Sequence, residues 1–394
     1  MKKNVILFSL LSILNINIFS QNSYEEISAM WDNLLNVNDN EKNYRLPRFL
    51  ESLSNKVFYD YEIPFSGWIF EKNSELDYLL LAGILPFSNQ ESILIWLISS
   101  ENEQSSWIYS KKLDFSRHQI TDFRIDIEST HAFSIYINNK KYVDVPDIQI
   151  KVLFSKLRHG IPDIEKEEIS QAIWGKLKKL LENINYFKHS FSDFEQLATV
   201  ISTDNKVKIC TWNIEYNSGE NFFYGGLVIN TASKPILYEL KDERKSIKNI
   251  EQNILEPEKW YGCVYYDILE NSYKKNTYYT LIGYNGNNAF TQIKLIDILT
   301  FTESSNPSPK FGAQIFTDEF KNNRRLIFEY SKKVAMMLRY DAGKKMIVMD
   351  NLASSEPFFQ DDFRFFGPDF SYNALIFDKG KWVYFEEIDL RNEK

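Results

Sequence analysis

The chain has 394 residues, of which 44% are hydrophobic, 25% charged and 15% aromatic, with a net charge of −8. These values fit an ordinary globular protein of two or three domains with a core of its own. The negative balance argues against nucleic acid, which needs a basic surface, and against adsorption to anionic lipid.

The first residues have the grammar of a secretory signal. Lys2 and Lys3 precede an apolar run from Val5 to Phe19, and the small residue Ser20 stands before Gln21. A basic head, a hydrophobic middle and a small residue at the cut predict export with cleavage after Ser20. The run is shorter than the ~20 apolar residues that span a bilayer, and no Cys follows it to carry a lipid. The expectation is an exported protein, periplasmic or secreted and associated with the cell surface, with no membrane span in the mature chain.

Tyr24, Ile27, Met30, Trp31 and Leu34 recur at helical spacing behind a Ser23/Glu26 capping box, which predicts a helix over about 23–37. A polar loop follows, and a second short helix is expected over 47–55. From about Pro64 to Val152 the pattern is that of strands, with bounded apolar runs at 76–87 and 93–98. Asn138-Asn139 marks a hairpin, since Asn tolerates positive φ. Residues 163–186 carry a long amphipathic helix, with Ile169, Ile173, Leu177, Leu180, Leu181 and Ile184 on one face. Asp163 is placed to cap it, and acids early with lysines late suit the helix dipole. Ser192 and Glu195 form a second capping box for a shorter helix. From Lys206 onward strands dominate, with hairpin turns at Asn285-Gly286, Asp341-Ala342-Gly343 and Asp378-Lys379-Gly380. Lys241 to Glu256 reads as a charged surface excursion.

The predicted class is therefore α+β and predominantly β. Residues 1–20 are the signal, 21–160 a helix-plus-sheet domain, 161–200 a helical connector and 201–394 an antiparallel β domain. Within the last, Tyr261-Gly262, Phe311-Gly312 and Phe366-Gly367 each precede a pair of predicted strands at intervals of roughly 50 residues, in the range of stacked β units. A twisted meander or sandwich fits three copies better than a closed propeller of four or more blades.

Several runs of this half carry a resemblance: Trp260-Tyr261-Gly262, Tyr284-Asn285-Gly286, Ile296-Asp297-Ile298-Leu299, Phe311-Gly312, Ile327-Phe328-Glu329-Tyr330, Arg339-Tyr340-Asp341 and Phe366-Gly367-Pro368-Asp369. Over about 190–394 the chain is similar to exported β-rich proteins of Bacteroidota to which no activity is attached. The resemblance implies an envelope location and no catalytic residue.

The chemistry-bearing motifs are sparse. Cys210 and Cys263 form either one disulfide, as an oxidising compartment permits, or two buried thiols acting as small hydrophobes. His118, His131, His159 and His189 lack metal-ligand spacing, so no metal is expected. There is no nucleophile elbow, P-loop or dinucleotide fingerprint, and no cofactor is expected. Carboxylates at Asp361, Asp362, Asp369, Glu386, Glu387 and Asp389 are the only catalytic stock, and a glycosidase would need two of them across a sugar. The segment from Phe363 to Tyr372 is the densest aromatic patch. It reads first as a core corner turned by Gly367-Pro368. Its second reading is a binding surface with Arg364, Phe366, Asp369 and Tyr372 in contact with ligand. The leading functional expectation is a non-enzymatic envelope module that binds a protein or a glycan. A carboxylate-based hydrolase and a structural or assembly factor are the alternatives.

Overall fold

The computed structural model describes residues 68–73, 78–86, 90–101, 104–116, 119–120, 122–129, 132–157, 160–231, 234–302, 307–356 and 358–390. Before these it describes single positions at 29, 33, 37, 38, 41 and 45. The expected signal and the helix over 47–55 lie outside the described residues. Of the helix expected over 23–37, Ala29 and Asn33 are described as helical.

The described residues are mostly antiparallel β. In the first part, β1 (Trp68–Asn73), β2 (Tyr78–Pro86), β3 (Gln90–Glu101) and β4 (Gln104–Ser116) form a four-stranded meander. Next, β5 (Phe123–Ser129), β6 (Ala132–Ile137) and β7 (Lys140–Val145) form a three-stranded sheet. The β6–β7 turn is the expected one, with Asn138 and Asn139 at φ 50° and 63°. Strand character stops earlier than the apolar pattern suggests. Pro146 cannot donate to a ladder, and the Asp147 carboxylate accepts from the Gln149 N–H at 2.8 Å. That cap starts helix α1 (Ile148–Lys156), which buries Ile148, Ile150 and Phe154.

Helix α2 (Asp163–Leu181) buries Ile169, Ile173, Leu177 and Leu181, as its periodicity predicts. Asp163 does not cap it. Pro162 holds the cap position, and the Asp163 carboxylate instead accepts from the Asn217 N–H at 2.9 Å and Lys166 Nζ at 3.1 Å. The expected helix after Ser192 is absent. Two tight turns stand there, closed by Phe194 N–H to Phe191 O and Leu197 N–H to Phe194 O. Phe191, at φ 51°, breaks helical continuity.

Three further sheets, of four, five and four strands, follow in chain order. The first is β8 (Ala198–Ile201), β9 (Val207–Glu215), β10 (Asn221–Ile229) and β11 (Ile236–Lys241). The second holds β12 (Val264–Tyr273), β13 (Asn276–Asn285) and β14 (Thr291–Phe301). Its outer position is shared by β15 (Pro309–Phe311) and β16 (Arg325–Ser331), which pair with different stretches of β14. The third is β17 (Leu338–Asp341), β18 (Met346–Ser354), β19 (Phe366–Asp378) and β20 (Lys381–Phe385). Thus Arg325–Tyr330 and Val334–Asp341, which the sequence suggests as one strand pair, contribute to different sheets.

The chain divides into two compact units: Met1–Asp126 with Ile135–Tyr142, and Ile127–Ser134 with Val143–Lys394. Within the second, the β12–β16 sheet is buried on both faces. Ile293, Leu295 and Leu299 join Ile209, Leu227 and Leu240 in one core. Ile296 and Ile298, which point the other way, join Ile347, Met349 and Leu375 in another. A strand buried on both faces needs a near-continuous apolar run rather than alternation, and β14 has one. Each core holds one buried indole with its N–H satisfied. Trp260 donates to the Tyr265 hydroxyl at 3.1 Å, and Trp382 to Thr280 Oγ1 at 2.9 Å.

Lys241 to Glu256 is the expected surface excursion, with most of its residues exposed, but it is tied to the core. Leu255 is buried, and Ile247 and Ile250 pack on the core beside it. Carbonyls of this loop surround Arg325, whose side chain is fully buried with that of Asp297. Arg325 Nε donates to Asp297 Oδ2 at 3.2 Å, Nη1 to Asn253 O at 3.0 Å and to Ile250 O, and Nη2 to Phe311 O at 3.0 Å. Gly312, at φ 100°, lies so close that a Cβ there would sit 2.9 Å from Arg325 Nη2. A matching pair lies under Gly262 (φ 77°), where an added Cβ would meet Asp242 at 2.4 Å. Asp242 Oδ2 is 3.2 Å from Arg244 Nη1 and accepts from the Phe223 N–H at 3.2 Å.

Two predictions follow from these pairs. Arg325→Met leaves a buried carboxylate and three carbonyls without their donor, so it should cost ~3–5 kcal/mol. Urea denaturation should show a lower midpoint with an unchanged slope. Asp242 behaves oppositely to a surface acid. Burial, only partly offset by Arg244, pushes its carboxyl up from 3.8 to about 6. Between those values the native state holds more protons than the unfolded state, so this residue's contribution to stability falls as pH rises. Denaturation at pH 4 and pH 6.5 should show the wild type losing ~2 kcal/mol relative to Asp242→Asn across that window.

Candidate functional site

Strands β18 and β19 outrun their neighbours. β17 pairs with β18 only over Met346–Met349, and β20 pairs with β19 only over Ala374–Asp378. The two long strands continue alone through Leu352↔Pro368, Ala353↔Gly367 and Ser354↔Phe366, after a register shift between Asp350 and Leu352. The result is a two-stranded arm closed by residues 355–365. Pro368 is tolerated in it because the arm has open edges.

The arm is anchored at its base. The Asp350 carboxylate accepts from the Met337 N–H at 2.6 Å, and a Cβ on Gly367 would meet Val334 at 3.2 Å. Asn351 Nδ2 donates to Asp369 Oδ2 at 2.8 Å across the pair. At the tip, Ser354 Oγ donates to the carbonyls of Glu356 and Phe359, at 2.8 and 3.1 Å. Phe359 stacks on Phe365 at 4.3 Å, and Phe363 leans on Phe366 at 5.2 Å. The remaining ring surface faces outward. Phe358 is 93% exposed and Phe370 91%, with Phe359 and Phe363 also exposed. Phe370 has φ 71°, a left-handed backbone that is costly for a bulky residue.

Beside the tip lies a shallow groove of about 270 Å³, lined by Asn288, Phe290, Thr291, Glu329 and the turn Asp361–Arg364. Phe290 is 63% exposed at its rim. Glu329 Oε1 accepts from Thr291 Oγ1 at 2.6 Å and Asn287 Nδ2 at 3.0 Å. Arg364 grips Asp362 with two nitrogens: Nε donates to both carboxylate oxygens and Nη2 to Oδ2 at 2.5 Å. That bond holds the Asp362 carboxyl below its ordinary range. Hydrogen bonds from Ser371 do the same for Asp369. General-acid work in glycoside hydrolysis needs a raised carboxyl, and these two are lowered.

The four residues expected to contact ligand all lie on or beside β19. Arg364 lines the groove, Asp369 is exposed on the arm, and Phe366 and Tyr372 are half-buried along β19. The aromatic segment is not a core corner: Gly367-Pro368 lies within a strand, and Phe363 and Phe370 point outward. Glu386 and Glu387 follow the end of β20 and are not among the groove's lining. Phe290, Glu329 and Phe358 are the residues missed. The first two are remote in sequence from 361–364, and Phe358 carries no local signal of exposure.

The expected Asn285-Gly286 turn is also different. Asn285 ends β13 and donates from Nδ2 to Gly262 O, and Asn287, not Gly286, has positive φ. The resulting longer loop brings Asn288 and Phe290 to the groove. Of the histidines, only His189 is described. Its Nδ1 accepts from the Phe191 N–H at 2.9 Å, and Nε2 faces Asp144 Oδ2 at 3.3 Å. Nearby, buried Lys208 donates to the carbonyls of Tyr186 and His189, both at 2.7 Å. Burial pushes its ammonium down to about 8. These bonds clamp the turns after α2 onto β9. Among the described residues no group of acids, His and Cys is placed to hold a metal, and no helix is long and apolar enough to cross a membrane.

Cys210 and Cys263 are separate, buried thiols. Cys210 lies on β9 with Sγ 3.5 Å from Thr199 Oγ1, and Cys263 packs under Gly283. Burial raises both thiols.

No family model matches the chain, and no curated protein matches it. Among solved structures, an alpha-L-arabinanase from Cellvibrio cellulosa is similar at 8% identity and a TM-score of 0.16, over 62% of this chain and 76% of that one. A likeness at that score carries no argument about fold or activity.

Iodoacetamide should leave the native protein unlabelled, and should alkylate both cysteines once guanidinium unfolds it without reductant. Mass spectrometry of the intact chain reads both results, and an unlabelled unfolded chain would instead mean a disulfide.

Proposed function

We propose that this is an exported, non-enzymatic binding protein of the cell envelope, and that its ligand docks on the β18–β19 arm and the groove beside it. The observation that carries the reading is the set of solvent-facing rings at Phe290, Phe358, Phe359, Phe363 and Phe370. Large apolar residues gathered on one exposed element mark a binding surface rather than a free one. In this reading the three sheets of the second unit are successive β units, and the arm is an extension grown from the last of them.

A glycan is the second reading for the same face. It is favoured by the groove itself, where Phe290 and Phe363 stand beside the hydrogen-bonding groups of Asn288 and Glu329.

The test is a native pull-down from the protein's own envelope fraction, run beside Phe358→Ser/Phe370→Ser. The expected result is a stoichiometric companion held by the wild type and lost from the double variant. The wild type should release no reducing sugar from arabinan or other polysaccharides. Turnover that survives the arm variant and disappears in Glu329→Gln would assign the protein to the hydrolases instead.

A further inference from the structure

The tip of the arm is acidic as well as aromatic. Glu356, Asp361, Asp362 and Asp369 stand in the same short stretch as the exposed rings, against one cation, Arg364. Asp362 is neutralised by that arginine at 2.5 Å, whereas Glu356 and Asp361 are exposed and face solvent. The rings are phenylalanines, which carry no polar handle and contribute by apolar contact alone. An apolar surface rimmed by carboxylates is complementary to apolar side chains interspersed with cations.

The backbone adds a second observation. Met337 O accepts from the Asp350 N–H and Tyr372 O from the Ile388 N–H, but among the described residues no third strand pairs with Leu352–Ser354 of β18 or with the facing Phe366–Pro368 of β19. A two-stranded ribbon is marginal by itself, and open strand edges accept an added extended segment.

We infer that the arm recognises an extended polypeptide segment that alternates basic and apolar residues, supplied by a partner protein. This rests on the binding reading above and narrows its ligand class. The segment's cations meet Glu356 and Asp361, its apolar side chains cover Phe358 and Phe370, and its backbone lies along the arm.

The experiment uses the purified chain and three probes. These are a synthetic peptide alternating Lys with Phe or Leu, the same peptide with Glu for Lys, and a panel of arabino-, xylo- and cello-oligosaccharides. Binding is followed by calorimetry at two salt concentrations, and the protein alone is run by analytical ultracentrifugation. The Lys peptide should bind and the Glu peptide should not. Affinity should fall with salt, as surface charge pairing requires. It should drop at least ~10-fold in Phe358→Ser/Phe370→Ser and measurably in Glu356→Gln/Asp361→Asn. All four substituted side chains are exposed, so circular dichroism should confirm unchanged folding. Oligosaccharide binding without peptide binding overturns this inference and leaves the binding reading standing. Self-association that the Phe variant abolishes also overturns it, making a second copy the occupant. Equal binding of both peptides overturns the charge argument. Binding of no probe by a monomer overturns the inference and, with an empty pull-down, the binding reading as well.

Discussion

The buried Arg325–Asp297 pair is the constraint on which the second unit turns. Guanidinium is always charged and presents donors in a fixed fork, so burying it requires several acceptors at set positions. Here they come from β14, from the end of β15 and from the loop between β11 and β12. A charged surface loop is thereby pinned to the sheet, with Leu255 buried in the core and Ile250 packed against it. The same arrangement explains why β14 shares its outer edge between two strands. Leu299–Phe301 meet β15, which brings the Phe311 carbonyl, and Thr291–Asp297 meet β16, which brings Arg325 itself.

Rigid support of that kind is what lets a mobile-looking element be specific. The β18–β19 arm leaves its own sheet, yet its base is fixed by Asp350 on Met337 and by close contact of Gly367 with Val334. Both contacts lie in the connection between β16 and β17, so the anchored middle sheet also positions the arm and the groove. Ligand groups on such an arm are held by the core while their rings stay exposed. Burying those rings against a partner would recover apolar contact that the isolated chain forgoes.

Much of the fold was legible before any tertiary information. The face of α2 built on Ile169, Ile173 and Leu177, the Asn138-Asn139 turn and the predominance of strands all follow from periodicity and local backbone preference. Local signals failed where a tertiary partner outcompeted them. Asp163 bonds Asn217 rather than capping its helix, Asn285 bonds Gly262 rather than making a tight turn, and Ser192 starts no helix because Phe191 is turned left-handed against Lys208. In each case a distant donor or acceptor supplied a bond that the local pattern could not foresee.

The site divides along the same line. Composition and spacing by themselves determined the aromatic density of 363–372 and the lack of catalytic motifs, because these depend on residue identity alone, whereas the state of Cys210 and Cys263 was decided by their separate places in the fold. Which rings are inside was decided only in three dimensions. A phenylalanine on a strand is core or surface according to what lies across from it, and Phe370 sits in the bulge of β19 between Pro368 and Tyr372, with a left-handed backbone. The meeting of Phe290 and Glu329 with Asp361–Arg364 was likewise set by sheet order, since it joins a loop and a strand of one sheet to a turn of another that no local spacing connects.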